Sequence, residues 1–171
     1  MAVITTANFS NLLSWAVIDT NTHSRVVDIG EVSSDVSFVN YTGSIPVSIN
    51  SIWYESGILS SGGSHKVDLL AMSRDVFGEP VAISMSKIHA VIIKNASQVI
   101  GEDFSVAATG STPFNDIFGG GNYIVPVYPA SALGFNNPLS GWDVDGTNNE
   151  LFLVDGGQGC SYEIAVIGIS G

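Results

Sequence analysis

The sequence has a single cysteine, Cys160, among its 171 residues, so no disulfide can form within the chain. Small secreted domains often supplement a limited core with several disulfides, and this chain cannot belong to that class. Its stability must therefore come from side-chain packing or from assembly with other chains.

Basic residues are also scarce in this chain. Five Lys and Arg oppose sixteen Asp and Glu, which gives a formal net charge of -11 at pH 7. A surface of this sign repels the phosphate backbone of nucleic acids, so we expect no DNA or RNA partner. The same surface suits docking onto a basic patch of another protein.

The N-terminal region carries no recognisable targeting signal. MAVITTANFSNLLSW lacks a basic segment followed by a long apolar run, so we expect neither a signal peptide nor a membrane span, and we expect synthesis in a cytoplasm. Phe9, Leu12, Leu13 and Ala16 have helical spacing, which predicts a short N-terminal helix, although SWAVID reads equally well as a strand. We divide the chain into an N-terminal arm, residues 1–24, and one domain, residues 25–171.

The composition that remains favours an all-β domain. The chain is 45% hydrophobic and 12% charged, with 19 glycines, which is too apolar for disorder and too rich in turn formers for a helical bundle. Short β-rich runs separated by Gly, Ser, Asn and Pro follow from about Val26, as in a sandwich or barrel. We predict an antiparallel β-sandwich.

Two of these runs, KIHAVIIKN and YEIAVIGI, are apolar on both alternating faces. Such strands are covered on both sides, either by a second layer of the same chain or by another subunit. We predict that the core includes Ile88, Ala90, Ile92, Ile164 and Val166.

The segment WDVDGTNNELFLVD, Trp142 to Asp155, crowds four acids around one glycine. Counted from Asp143, the segment has no Glu at the twelfth position, and its glycine comes too early for a calcium-binding EF-hand loop. An Asp-Gly pair between two β-rich runs is instead a strong hairpin signal. We therefore predict a hairpin turn, no metal or cofactor, and stability that is insensitive to chelators.

No catalytic motif accompanies these runs. The histidines are His23, His65 and His89, and no G-x-S-x-G elbow supplies a nucleophile for any of them. His89, in the middle of an apolar strand, is typical of a hydrogen-bonded core or interface histidine, and His65, which lies beside a flexible loop, is expected to have a solvated side chain. Cys160 reads as a small buried hydrophobe. We expect no enzymatic activity.

The long segment from Ser111 to Gly141 is rich in Pro, Gly and aromatic residues, as contacting loops are. Exposed aromatics stack on sugars or anchor protein interfaces, and we favour a protein interface here. The candidate contact residues in this segment and in the arm are Phe9, Leu12, Leu13, Trp15, Phe114, Phe118, Tyr123, Tyr128 and Phe135.

Residues 67–169 resemble small virion proteins of tailed bacteriophages. The resemblance rests on the FG turn at Phe77 and Gly78, the KIHAVIIKN strand, a Pro- and Gly-marked strand, a GW strand and the closing YEIAVIGI strand. It implies a jelly-roll-like sandwich that decorates or cements a capsid, binds the major capsid protein and forms a homotrimer on the virion surface. The alternatives are a receptor- or carbohydrate-binding fibre head and a non-viral β-sandwich binding module.

Overall fold

A computed structural model describes the backbone of residues 6–20, 25–39, 49, 51–76, 79–107, 109–121 and 123–171. It describes side chains for residues 49, 51–73, 80–107, 109–121 and 123–171. The described chain contains thirteen β-strands and one short 3-10 helix at Asp116–Phe118. In order, the strands are β1 (Thr6–Thr20), β2 (Arg25–Val39), β3 (Ser51–Leu59), β4 (Ser64–Asp68), β5 (Met72–Val76), β6 (Glu79–Ile83), β7 (Met85–Asn95), β8 (Phe104–Ala107), β9 (Ile124–Val127), β10 (Ala132–Asn136), β11 (Trp142–Asp143), β12 (Glu150–Asp155) and β13 (Cys160–Ser170). Within this part of the chain, no helix is long and apolar enough to span a membrane.

Two antiparallel sheets form the body of the protein. The five-stranded sheet has the order β10-β7-β13-β3, and β11 also pairs with β7. The four-stranded sheet has the order β4-β12-β8-β9. Strands β1 and β2 form a separate pair, as do β5 and β6. The all-β antiparallel architecture confirms the prediction from composition and pattern.

The order in which the strands enter the two sheets is that of a jelly roll. Without the two separate pairs and the short β11, eight strands remain. The first, third, sixth and eighth of them build the five-stranded sheet, and the second, fourth, fifth and seventh build the other. This order interlocks two Greek keys, so every connection except the fourth crosses from one sheet to the other.

A single hydrophobic core lies between the two sheets. Trp53, Ile93 and Val166 of the five-stranded sheet face Phe104 and Leu153 of the four-stranded sheet. Four of the five residues predicted for the core are buried and Ile92 is half-buried, but only Ile88, Ile164 and Val166 belong to the cluster between the sheets.

A β-bulge in β7 places both Ala90 and Ile92 outside this cluster. Ile167 pairs with Ala90 and Gly168 pairs with Ile88, so His89 is an extra residue in the ladder. One extra residue reverses the alternation of side chains along a strand. Ile88 therefore shares the core face with Val91, whereas Ala90 and Ile92 share the opposite face. The prediction that Ala90 and Ile92 belong to the core together with Ile88 is wrong for this reason.

The N-terminal helix predicted from Phe9, Leu12 and Leu13 is also wrong. Residues Thr6–Thr20 form β1, which pairs with β2 along its whole length, from Thr6 opposite Val39 to Thr20 opposite Arg25. Pairing with β2 overrides the helical spacing of a few apolar residues, and the SWAVID strand alternative is the one observed. The division between residues 24 and 25 falls between these two paired strands, and it stays a prediction.

Candidate interaction surface

The four acids of the segment 142–155 go to four different places. Asp143 accepts a hydrogen bond from Lys87 Nζ at 2.5 Å. Asp145 accepts hydrogen bonds from the backbone and the hydroxyl of Thr147, which lower the pKa of the Asp145 carboxyl. Within the described residues, no group of three or more His, Cys, Asp or Glu side chains is arranged to hold a metal ion. The predicted insensitivity to chelators remains to be measured.

The tight turn predicted in this segment is present, but it does not close a hairpin. Asn148 N donates to Asp145 O at 3.1 Å across Gly146 and Thr147. The strands that flank the turn, β11 and β12, belong to different sheets, so the prediction that they pair with each other is wrong. The turn carries the chain from one layer to the other, and Gly146 accordingly does not have the positive φ of a hairpin turn.

Glu150 and Asp155, the other two acids, hold loops in place. Glu150 pairs with Lys66 at 2.9 Å and accepts hydrogen bonds from the backbone of Ser111 and Thr112, and these contacts lower the pKa of its carboxyl. Asp155 accepts three backbone N–H bonds, from Gly62 at 2.8 Å, Gly157 at 2.7 Å and Gly159 at 3.0 Å.

Each of the two described histidines places a ring nitrogen near an oxygen atom of another residue. His89 is buried, with Nδ1 3.1 Å from Asn137 O, which confirms the core-histidine prediction. Desolvation lowers the pKa of His89, so the ring is neutral at pH 7. His65 is half-buried on β4 with Nε2 2.8 Å from Glu55 Oε1, so the predicted solvated side chain is wrong. His23 lies outside the described residues.

Tyr162 and Cys160 on β13 are buried and unsuited to nucleophilic chemistry. Tyr162 stacks on His65 and donates a hydrogen bond to Glu55 Oε1 at 2.5 Å. Burial is the largest cause that raises the pKa of Tyr162, and the bond to Glu55 raises it further. Burial, followed by the charge of Asp155, raises the pKa of Cys160 to about 11. Cys160 is therefore the buried small residue that the sequence predicts, and both groups are protonated at pH 7.

The candidate contact aromatics have different degrees of exposure. Phe114 is 0% exposed in the core, so its side chain has no surface to offer a partner. Phe118 and Phe135 are half-buried and pack edge to face, with ring centroids 5.4 Å apart. Tyr123 and Tyr128 are exposed.

The candidate contact residues of the N-terminal arm lie on β1, and their side chains are outside the described residues. These residues are Phe9, Leu12, Leu13 and Trp15. Their interface role stays a prediction.

One end of the sandwich presents exposed apolar side chains on adjacent loops. We call this surface the loop end; it consists of the loops 60–63, 96–103, 128–131 and 156–159. Ile100 is 95% exposed and Tyr128 is 62% exposed, and Val99 is exposed beside them. The sequence pattern did not single out Val99 and Ile100. The available signal was an apolar pair directly before Gly101 in a loop otherwise made of small and polar residues.

Hydrogen bonds connect the four loops of the loop end into one unit. Ser61 Oγ donates to Gly157 O, and Gly156 N donates to Asp103 O at 2.8 Å. Ala130 N donates to Ser97 O at 2.8 Å. Asp155 accepts hydrogen bonds from the loops 60–63 and 156–159. The loop 96–103 is bonded to 156–159, and the loop 128–131 is bonded to 96–103, in both cases through backbone groups.

Asn95 anchors the loop end to the core. This residue is 0% exposed, and its Nδ2 donates to Glu102 O at 2.8 Å and to Val127 O at 3.1 Å. Its Oδ1 accepts a hydrogen bond from Ser97 N at 3.0 Å. All of the partners of the Asn95 amide are backbone groups, so it fixes the path of the chain on both sides of the Val99–Ile100 tip.

A second apolar surface is the side of the five-stranded sheet that points away from the core, which we call the outer face. Alternation along the strands assigns to it Ile52, Tyr54, Ser56 and Ile58 of β3, Glu163, Ala165 and Ile167 of β13, and Ala90, Ile92 and Lys94 of β7. Ile58 is 83% exposed and Tyr54 is 56% exposed, whereas Ile167 is buried. The second apolar face that the sequence predicts for β13 is therefore only partly covered.

No protein-family model matches this chain, and a search of curated proteins finds no relative. The resemblance to phage virion proteins stays a prediction.

Proposed function

We propose that this protein is a non-enzymatic virion structural protein that decorates and reinforces a bacteriophage capsid. In this proposal the loop end attaches to the major capsid protein on the capsid surface, after synthesis in the host cytoplasm. The observation that carries the proposal is the loop end itself, where Val99, Ile100 and Tyr128 stand exposed on loops joined by hydrogen bonds.

A loop tip held in one conformation suits attachment to a repeating lattice. Ordering a mobile loop on binding costs free energy, and that cost is small where hydrogen bonds already set the path of the chain. Apolar side chains at such a tip are effective anchors when they enter a pocket of the partner. Many equivalent sites on a shell then add up, so each single contact can be weak.

The jelly-roll order supports the proposal as an analogy of fold. Jelly rolls occur in viral capsid domains and also in lectin domains, so the fold alone does not distinguish a capsid protein from a lectin. The sequence resemblance over residues 67–169 favours the virion reading. The homotrimer expected from that resemblance stays a prediction.

The experiment is co-purification followed by imaging. The tagged chain is expressed in the cell that carries its gene, particles are isolated by sedimentation, and a low-resolution electron-microscopy map locates the extra density. We expect density distributed over the capsid shell. Density confined to fibre tips would replace this proposal with the receptor-binding alternative, and no particle association at all would favour a non-viral binding module.

Point variants test whether the loop end makes the contact. We expect Ile100→Asp and Tyr128→Ala to weaken particle binding by about tenfold or more, as truncation of an interface anchor does. Leu139→Asp is the matched control, because Leu139 is 78% exposed on the loop between β10 and β11. Equal binding by all three variants would contradict attachment through the loop end.

A further inference from the structure

Strand β3 is the least protected edge of the two sheets. Natural sheets blunt their edges with short strands, Pro or Lys. Strand β9 contains Pro126, β4 contains Lys66, and β10 has only 5 residues. Strand β3 has 9 residues and contains neither Pro nor a basic residue.

No described strand pairs with the second edge of β3. Strand β5 contacts β3 through the side chain of Trp53, whose Nε1 donates to Ser73 O at 2.8 Å, but β5 pairs with β6 and not with β3. The stretch from Tyr54 to Leu59 therefore presents backbone N–H and C=O groups in the orientation that another strand requires.

The outer face that adjoins this edge is electrically neutral, although the chain as a whole carries a formal charge of -11. Lys94 Nζ lies 3.0 Å from Glu163 Oε1, and Lys87 Nζ lies 2.5 Å from Asp143 Oδ1. Two of the three lysines of the chain thus neutralise acids on this side of the sheet. A second copy of an acidic chain meets less repulsion here than at a surface with unpaired carboxylates.

We propose that two copies of this chain associate by antiparallel pairing of their β3 edges around a two-fold axis at Ser56, which joins their five-stranded sheets into one. This register places Tyr54 of each copy opposite Ile58 of the other on the outer face. Aromatic and β-branched residues form favourable cross-strand pairs. Around a two-fold axis the same edge of each copy forms the contact, so the backbone hydrogen-bonding groups of both β3 strands are paired, as in symmetric dimers.

Shifting the register by one pairing step removes these advantages. An axis at Glu55 places two like carboxylates directly opposite each other, which is destabilising. An axis at Gly57 pairs Ile58 with Ser56 and leaves Tyr54 opposite Ser60. The axis at Ser56 instead sets Glu55 opposite Gly57, which has no side chain, and leaves the contacts of Glu55 with His65 and Tyr162 in place.

This contact does not rest on capsid attachment, because it concerns copies of the chain in solution. It requires a dimer, whereas the sequence resemblance implies a homotrimer, and a mass determination separates the two. We expect sedimentation equilibrium to give twice the chain mass of 17.9 kDa. Ile58→Lys and Tyr54→Lys are expected to weaken dimerisation by about tenfold or more while leaving the thermal midpoint of the monomer unchanged.

Leu139→Lys is the matched control, since Leu139 is apolar and 78% exposed but lies on the loop between β10 and β11. This variant is expected to dimerise like the unmodified chain. A trimer, a monomer at all concentrations up to the solubility limit, or a dimer unaffected by Ile58→Lys and Tyr54→Lys would overturn the proposal.

A cysteine at the axis tests the register independently. Directly opposed residues of paired strands have Cβ atoms about 4.5–5.5 Å apart, so Ser56→Cys is expected to form a disulfide-linked dimer on mild oxidation. Cys160 does not interfere, because it is buried and its pKa is raised to about 11. Ser64→Cys, an exposed position on the β4 edge, is the control. If Ser56→Cys cross-links no faster than Ser64→Cys, the proposed register is excluded. The register is also excluded if the thiol at position 56 reacts freely with a maleimide in the purified protein and is protected only when another protein is added.

Discussion

Asp155 and Asn95 show how single buried polar residues can organise a surface. Each lies beneath the loop end and bonds to backbone groups of two segments distant in sequence, Asp155 to Gly62 and Gly157, and Asn95 to Glu102 and Val127. Because their partners are backbone atoms, the path of the loops depends on these two residues and little on the exposed side chains that the loops carry.

We expect Asp155→Ala to lower the free energy of unfolding by about 1–3 kcal/mol, because three backbone N–H groups lose their acceptor. Chemical denaturation of the variant and of the unmodified chain at pH 7 measures this difference. Asp155→Asn keeps one acceptor oxygen, so its free energy of unfolding is expected to lie between those of Asp155→Ala and the unmodified chain. A change below about 0.5 kcal/mol for Asp155→Ala, within the range of ordinary surface substitutions, would show that the loops hold their path without this residue.

The same residue predicts a pH dependence. Burial alone would raise the pKa of Asp155, but the N–H bonds from Gly62, Gly157 and Gly159 outweigh it and lower the pKa below its usual 3.8. A lowered pKa stabilises the fold above pH 3.8, and this contribution disappears as the pH falls through the lower pKa of the folded state. The stability gap between the unmodified chain and Asp155→Asn is therefore expected to narrow in denaturation curves measured from pH 6 down to pH 2.5.

At the scale of elements, the bulge in β7 determines which residue β13 can carry at position 168. It also lies where the loop between β10 and β11 leaves the sheet. Gly168 of β13 lies opposite the bulge, and a Cβ added there would be 2.1 Å from the carbonyl oxygen of Lys87. The backbones approach too closely for any side chain. On the other edge of β7, the loop between β10 and β11 leaves the sheet beside His89, where Asn137 N donates to His89 O at 2.8 Å.

We expect Gly168→Ala to destabilise the protein by about 1–3 kcal/mol, because the obstructing atom belongs to the backbone and cannot rotate away. Gly146→Ala is the control, since a Cβ at Gly146 meets no atom within 4 Å and its φ is not positive. Thermal unfolding of both variants checks the prediction. Equal midpoints for the two would mean that β7 and β13 can separate at this point without cost.

Alternation and composition are sufficient to predict the strand class and most of the core. They fail where a residue's partner is set by tertiary structure. Nothing in KIHAVIIKN marks His89 as an extra residue, so Ala90 and Ile92 were both predicted on the wrong face. Local Asp-Gly chemistry predicts the turn at Asp145 but not that its flanking strands enter different sheets. The exposure of Ile100 and the burial of Phe114 likewise depend on which loops become neighbours.

At the scale of the whole molecule, the charge of -11 acts on every association. Two copies that pair through their β3 edges, beside the neutral outer face, still repel each other through acids elsewhere on their surfaces. Salt screens this repulsion over about 10 Å at 0.1 M, so we expect dimerisation to strengthen several-fold between 20 mM and 500 mM NaCl. Sedimentation equilibrium at several salt concentrations measures the effect. Weaker dimerisation at high salt would indicate attractive ion pairs across the contact instead.

The pairing of β3 with β13 has a consequence for how the chain reaches its native state. Leu59 pairs with Cys160, 101 positions later. The first strand of the jelly roll, β3, therefore has no strand partner in its sheet until the last strand, β13, has formed. Contacts so distant in sequence close large loops and slow folding, typically to milliseconds or seconds in all-β domains. During that interval both edges of β3 are unpaired, and its apolar side chains are open to the wrong partners. Refolding yield should therefore fall with protein concentration, and a charge at Tyr54 or Ile58 should raise that yield without changing the native fold.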